Sequence, residues 1–266
     1  VYAYHMFIIV QILKGFQEPL LYSVPNAWLS QPLIGSIVQV PLRNQIVPAL
    51  VTHIATEKPL HASFAIKDAH TLEEFPSDQL YLHFVTQLAR YYTVQPVQLI
   101  SRLKQFLKQK TEAVPSIQTS CINNPLLKLT DEQHQVASFL IDRITNPSYT
   151  PTLLHGVTAS GKTEVYKKLM LHAIQEQKSV LLLLPEVTLA VAFAHRLRAE
   201  LPAETPLYSF HSATSPQEKR RIWQHLINRQ PIIIIGIRFA VLLPISNLDL
   251  IIVDEEHETG YQEKKH

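Results

Sequence analysis

Thr152-Leu153-Leu154-His155-Gly156-Val157-Thr158-Ala159-Ser160-Gly161-Lys162-Thr163-Glu164-Val165-Tyr166 decides how the rest of this chain is read. Residues 156–163 satisfy G-x-x-x-x-G-K-[ST] at every fixed position, the loop that wraps the phosphates of a nucleoside triphosphate. Only 6 glycines occur among 266 residues, and Gly156 and Gly161 stand where the loop needs them. The run 152–155 is expected to be a short buried strand entering the loop. Residues 164–170 are expected to be the first turns of a helix leaving it. The loop from Gly156 through Val157, Thr158, Ala159, Ser160 and Gly161 to Glu164 would then bring amides and a helix N-terminus onto one anion. Lys162 would add a full positive charge, and Thr163 would place its hydroxyl on Mg²⁺.

Strands and helices alternate on both sides of this loop. Helices are expected over 130–144, 162–175, 188–201 and 216–228, and strands over 152–155, 180–184, 207–210, 232–235 and 248–253. Continuous apolar strands between amphipathic helices specify a parallel sheet covered on both faces. The last strand, taken as buried, runs into Asp254-Glu255-Glu256-His257. Burying consecutive charges is costly, so acids there belong in the crevice at the strand ends where such sheets bind ligands. Asp254 is the candidate Mg²⁺ ligand. Glu255 is the candidate base that polarises the attacking water.

Upstream, residues 36–40 and 46–51 flank a polar turn at Arg43-Asn44, a hairpin signal. Pro48 is expected to keep its strand at a sheet edge. Ser77 is a candidate N-cap for a helix with Leu80, Phe84, Leu88 and Tyr92 on its apolar side. Pro96 suits the first turn of another helix, with a stripe of Leu99, Leu103, Phe106 and Leu107. Lys104, Lys108 and Lys110 read as a solvated face or as a DNA contact. Residues 111–128 lose periodicity and gather Pro, Ser, Thr and Asn, as a linker does.

Lys and Arg number 24 against 22 Asp and Glu, so bulk charge supplies no argument for a nucleic-acid partner, and any such claim rests on local features. A single cysteine, Cys121, excludes a disulfide framework and a Cys-rich zinc site. No apolar run approaches the roughly 20 residues that cross a bilayer. The opening residues carry no leader pattern, and a start at Val1 suggests a missing N-terminus.

The chain resembles the PriA (primosomal protein N′) family of replication-restart DNA helicases. The resemblance rests on Gly156–Tyr166, Pro185-Glu186-Val187, His211-Ser212, Ile235-Gly236-Ile237-Arg238-Phe239-Ala240 and Asp254-Glu255-Glu256-His257, in that order. It implies an α/β fold, a RecA-like P-loop parallel sheet forming helicase lobe 1, preceded by a small β-rich DNA-binding domain with helices. The expected domains are 1–110 for 3′ DNA binding, 111–128 as linker, and 129–266 as the ATP-binding lobe. The resemblance implies ATP and Mg²⁺ as cofactors. Forked or single-stranded DNA, primosome proteins and single-strand-binding proteins are the implied partners, for a cytoplasmic, nucleoid-associated monomer. Leu129-Thr130-Asp131-Glu132-Gln133 resembles a family segment whose Gln meets adenine, although Thr130 and Gln133 equally make a capping box. Arg238 is either a DNA-phosphate contact or a structural arginine. Tyr22, in Leu20–Pro25, matches the tyrosine of the family's 3′-end pocket.

Four departures qualify this. Leu21 stands where the family has an acid able to accept a bond from a terminal hydroxyl. Only residues 111–128 stand where the family has a winged helix. Ala190 and Ala192, and Ile237 and Phe239, replace hydroxyl and amide residues that grip phosphates. Finally, the second lobe, its across-cleft arginine and the family's zinc-binding cysteines would all lie beyond His266. The expected activity is therefore 3′-to-5′ ATP-dependent unwinding by the intact motor, with this portion binding ATP and DNA without unwinding. The alternative is a non-catalytic DNA-binding adaptor or decayed helicase.

Overall fold

The computed structural model describes residues 6–16, 18–55, 65–76, 78–108, 128–146, 149–157 and 159–261. Ser77, Lys110, Thr158 and the expected linker, Lys128 excepted, lie outside the described residues. The chain forms two compact units, one running through Leu107 and one starting at Lys108.

In the first unit β1 (Phe7–Ile12), β2 (Leu20–Ser23), β3 (Ile37–Leu42), β4 (Gln45–Ala55) and β5 (Thr71–Glu73) precede α1 (Gln79–Tyr91) and α2 (Pro96–Lys108). The strands pair antiparallel in the order β2-β1-β4-β3-β5. The expected hairpin is β3–β4, with Leu42 opposite Gln45 and Arg43 at φ 54°, the left-handed backbone that a tight hairpin turn demands. Ile8, Val10, Ile12, Val38, Val40 and Val51 form the core of the sheet's inner face. A bulge in β4 leaves Thr52 between the partners of Ile9 and Val10, and its hydroxyl donates to the Ile9 carbonyl at 3.0 Å.

Two expectations are corrected here. Pro48 lies in a central strand, not an edge strand. The Pro48 carbonyl accepts from Leu13 N–H at 3.0 Å, and a strand residue's N–H and C=O point to the same side. The missing N–H thus faces the β1 side, opposite Leu13 and just past the last ladder pair, Ile12–Ala49, so the pairing with β3 keeps its bonds. On α1 the buried residues are Val85 and Ala89, whereas Leu80 and Phe84 are 81% and 37% exposed. Both stripes are apolar, so periodicity alone could not choose between them. Asp78 caps α1, accepting from Tyr81 N–H at 2.7 Å. On α2, Leu99 and Leu103 are buried as expected, together with Val97 and Ile100. Lys104 is paired with Glu73, which also accepts from Gln39 of β3. That side chain ties α2 to the sheet, so for Lys104 a structural role replaces both readings, while Lys108 is exposed.

The second unit contains α3 (Asp131–Thr145), α4 (Lys162–Gln175), β6 (Ser179–Leu183), α5 (Val187–Glu200), β7 (Leu207–Phe210), α6 (Pro216–Ile227), β8 (Ile233–Gly236) and β9 (Leu248–Val253). The strands are parallel in the order β7-β8-β6-β9. α3, α4 and α5 pack their apolar stripes on one face, where Leu169, Met170, Leu182, Leu197, Ile233 and Ile235 meet. Every expected element is present within one or two residues except one. Residues 152–155 form no strand, and Leu153 is 72% exposed. Among the described residues no strand pairs with them, and extended backbone without a ladder has nothing to hold it. β9 is likewise an edge strand and not the buried one expected. Its Ile251 and Val253 are 52% and 42% exposed, so the second face of the sheet is left open at β9.

Lys167 on α4 is buried, with its ammonium 2.6 Å from Glu164 and 2.8 Å from Glu200 of α5. Arg196 closes the cluster, 2.9 Å from Glu200 and 3.7 Å from Glu164. Burial by itself pushes the Glu200 carboxyl upward, but the hydrogen bonds and charges of Lys167 and Arg196 outweigh it and hold the group below its usual range. A depressed folded-state value means stability that is present above the unfolded value of about 4.3 and lost as pH falls through the folded one. The stability advantage of wild type over Glu200→Gln should therefore be full at pH 7 and shrink below about pH 4.3. Urea unfolding of both proteins at a series of pH values measures it, and an advantage that grows on acidification refutes it.

Candidate functional site

All four parallel strands present their C-terminal ends to one edge, the edge at which such sheets bind ligands. β9 delivers Asp254, β8 delivers Gly236 and Arg238, β7 delivers His211, and β6 delivers Pro185 and Glu186. Asp254 and α4 meet directly: the Tyr166 hydroxyl donates to Asp254 Oδ1 at 3.1 Å. Tyr166 lies three residues after Thr163 on the same helix face, about 4.5 Å along the axis. The first turns of α4 and the acidic strand end thus occupy one place, as a shared metal–nucleotide site requires.

The loop itself is arranged around Lys162. Its ammonium donates to the Gly156 carbonyl at 2.8 Å and the Val157 carbonyl at 3.4 Å, so the charge sits inside the curl of the loop. Gly161, at φ 83°, is the N-cap of α4 and supplies no side-chain cap, leaving first-turn amides of the helix open to an outside acceptor. α1, α3 and α6 instead carry side-chain caps from Asp78, Thr130 and Ser215. Gln133 makes both predicted contacts of a capping box with Thr130. It also donates from Nε2 to the Ser160 carbonyl at 3.0 Å, which links α3 to the phosphate loop. The Glu164 carboxylate is committed to Lys167 and Arg196, so only its main chain faces the loop.

Two loop residues have left-handed backbones and opposite expectations. A Cβ at Gly161 would lie 2.2 Å from Gln133 Nε2; Ala159 already carries a Cβ at φ 62°. Gly161→Ala should destabilise the unit by about 1–3 kcal/mol, while Ala159→Gly should relieve about 1 kcal/mol of strain. Thermal melting of the two variants checks this, and equal shifts of the same sign would refute it.

Asp254 is held twice more, by its N–H donating to the Leu183 carbonyl at 3.1 Å and by the Tyr261 hydroxyl. That hydroxyl shares its one proton between the Asp254 main-chain carbonyl at 2.5 Å and the Leu183 carbonyl at 2.9 Å. Gly260 lets this turn approach, since a Cβ there would stand 2.9 Å from the Pro185 carbonyl. Burial first, and then the Asp254 carboxylate, push the Tyr166 phenol well above its usual range, so it stays a protonated donor at neutral pH. Glu255 is exposed and has a left-handed backbone at φ 50°, an uncommon state that turns its side chain off the strand. Among the described residues no three His, Cys, Asp or Glu side chains converge as a protein-built metal site. One carboxylate beside a phosphate loop suits a hard cation that keeps waters and takes its remaining ligands from phosphates.

Arg238 opens a 3-10 turn, Arg238–Leu242, and is exposed, against the buried structural reading. Tyr22 must be corrected. It is 5% exposed, and its hydroxyl donates to the Pro41 carbonyl at 2.9 Å. It serves the β-sheet core, because a ring packed among Val24, Leu33 and Val40 is withheld from any DNA surface. Sequence reasoning missed Tyr166 and Tyr261 as partners of Asp254. The i, i+3 spacing of Tyr166 from Thr163 was a usable signal for the first.

A parallel sheet with a phosphate loop opening α4 and an acid at the end of β9 defines a P-loop nucleotide-binding lobe. Residues 116–266, more than half of the chain, match the DEAD/DEAH box helicase family, and the chain belongs to that family. Residues 8–103 match the 3′DNA-binding domain (3′BD), a DNA-binding module. Among curated proteins the chain is similar to replication restart protein PriA of Rickettsia felis, 29% identical over 248 residues, covering 92% of this chain and 36% of the relative. The same-named protein of Borreliella burgdorferi is 33% identical over 155 residues, 58% of this chain and 23% of the relative. That of Bacillus subtilis is 32% identical over 139 residues, 52% of this chain and 17% of the relative. The chain spans well under half the length of the curated relatives it matches. No helix among the described residues is long and apolar enough to cross a membrane.

Proposed function

We propose that these 266 residues form the DNA-binding domain and ATP-binding first lobe of a PriA-like helicase that moves 3′ to 5′ at stalled or abandoned replication forks. The observation that carries the nucleotide half is the Tyr166–Asp254 hydrogen bond, which joins the phosphate-loop helix to the acidic strand end. Lys162 would leave the Gly156 carbonyl to pair with the β- and γ-phosphates of ATP, and the open amides of α4 would take the remaining oxygens. Thr163 and Asp254 would hold Mg²⁺, which supplies neutralisation of charge on the phosphates. Glu255 would accept the proton of the attacking water. Gln133 is the candidate adenine contact, its Oε1 and one Nε2 proton being used by Thr130 and Ser160. Arg238 would pair with a backbone phosphate of the single strand at the same sheet edge. Primosome and single-strand-binding proteins are the proposed partners, of a monomer in the nucleoid.

The arginine that reaches the γ-phosphate across the cleft in related enzymes comes from elsewhere and is worth about 10³–10⁵ in rate. The 266-residue chain alone should therefore bind a fluorescent ATP analogue in a Mg²⁺-dependent manner and show no unwinding of forked DNA. A titration with and without EDTA, beside a strand-separation assay, tests both halves. Metal-independent affinity defeats the site assignment, and robust unwinding defeats the division of labour.

A further inference from the structure

We infer that Tyr166 is a positioning residue for the metal-binding carboxylate of Asp254: its hydroxyl engages Oδ1 and so turns Oδ2 toward the first turn of α4. The inference deepens, and rests on, the nucleotide-site reading above.

Three observations carry it. The hydroxyl of Tyr166 has the Asp254 carboxylate as a hydrogen-bond acceptor at 3.1 Å, 88 residues away in sequence. The ring is buried in the main core between α4 and the sheet, where Leu169 and Met170, three and four residues on, share its helix face and restrict its direction. The main chain of Asp254 is fixed independently, by its N–H to the Leu183 carbonyl at 3.1 Å and by the Tyr261 hydroxyl on its own carbonyl. With Cα held on one side and one carboxylate oxygen on the other, side-chain rotation of Asp254 is stopped. A free aspartate at the mouth of an edge strand, beside exposed Val253 and Glu255, would otherwise sample several rotamers. Partners that orient a metal ligand in this way commonly change metal affinity by about 10- to 100-fold.

The discriminating variant is Tyr166→Phe, which keeps the ring and its packing and removes one oxygen. Binding of a fluorescent ATP analogue to the 266-residue chain is followed as a function of Mg²⁺ in wild type, Tyr166→Phe, Asp254→Ala and the double variant, with EDTA-treated samples giving the metal-free affinity. The expected result is a Mg²⁺ half-saturation raised about tenfold in Tyr166→Phe, metal-free affinity unchanged, and no further shift when Tyr166→Phe is added to Asp254→Ala. A merely structural tyrosine would lower metal-free binding and melting temperature without moving the Mg²⁺ dependence. That outcome, or an undiminished Tyr166→Phe effect in the Asp254→Ala background, overturns the inference. Asp254→Ala with wild-type Mg²⁺ dependence would instead defeat the underlying site reading, and this one with it.

Discussion

Lys162→Ala is expected to weaken binding of ATP·Mg²⁺ by about 10- to 150-fold, the equivalent of about 1.5–3 kcal/mol for a hydrogen-bonded charge. The ammonium is the positive side chain that curls into the loop, held by the Gly156 and Val157 carbonyls. Those two acceptors are neutral and near solvent, so exchanging them for phosphate oxygens gains charge–charge attraction at little cost. The same location means that truncation leaves the carbonyls to water and the fold intact. Isothermal titration should show the lost affinity while the melting temperature stays within a degree or two of wild type. Unchanged affinity would mean that the loop survives only as architecture, and would favour a DNA-binding adaptor without catalysis.

Lys167→Ala, one turn further along the same helix, should act on the fold instead. Removing one partner of a buried ion cluster typically costs about 3–5 kcal/mol, because the remaining charge is left uncompensated. Here Glu164 and Glu200 side chains, 12% and 23% exposed, converge on an ammonium that is 2% exposed. Arg196 is 54% exposed and reaches both carboxylates, so it can take up part of the loss and place the cost near 3 kcal/mol. Urea unfolding of the second unit measures it. Adding Glu164→Gln and Glu200→Gln to Lys167→Ala should recover part of the stability, because the orphaned charges are gone. A single-variant loss under about 1 kcal/mol, the scale of a surface pair, would show the cluster to be solvated.

The two lysines five residues apart illustrate how unevenly the site was legible. Lys162 was assigned from a pattern of glycines and hydroxyls, because a loop that wraps phosphate tolerates few residue types. Lys167 carries no pattern; its burial depends on Glu200, 33 residues away. Asp254 was legible as an acid at a strand end, whereas its fixing by Tyr166 was not, since that hydrogen bond joins segments 88 residues apart that only the sheet brings together; the bond from Tyr261 closes a turn of seven residues. Tyr22 shows the opposite error, in which a resemblance pointed to a DNA contact and the packing of the β-sheet withdrew the ring into the core. Pro48 failed likewise: a rule about missing N–H groups holds for the side of the strand that needs one, and side is a property of pairing.

By itself the sequence determined the local features: where helices and strands run, the phosphate loop, the acidic strand end and the β3–β4 turn. These depend on side-chain period, φ preference and capping over a few neighbouring residues. The tertiary structure alone decided which apolar stripe of α1 is buried, that β9 is an edge and 152–155 unpaired, and which oxygen of Asp254 is already occupied. Those outcomes depend on competition among distant surfaces for burial and hydrogen bonds, and no local stretch of chain encodes who wins.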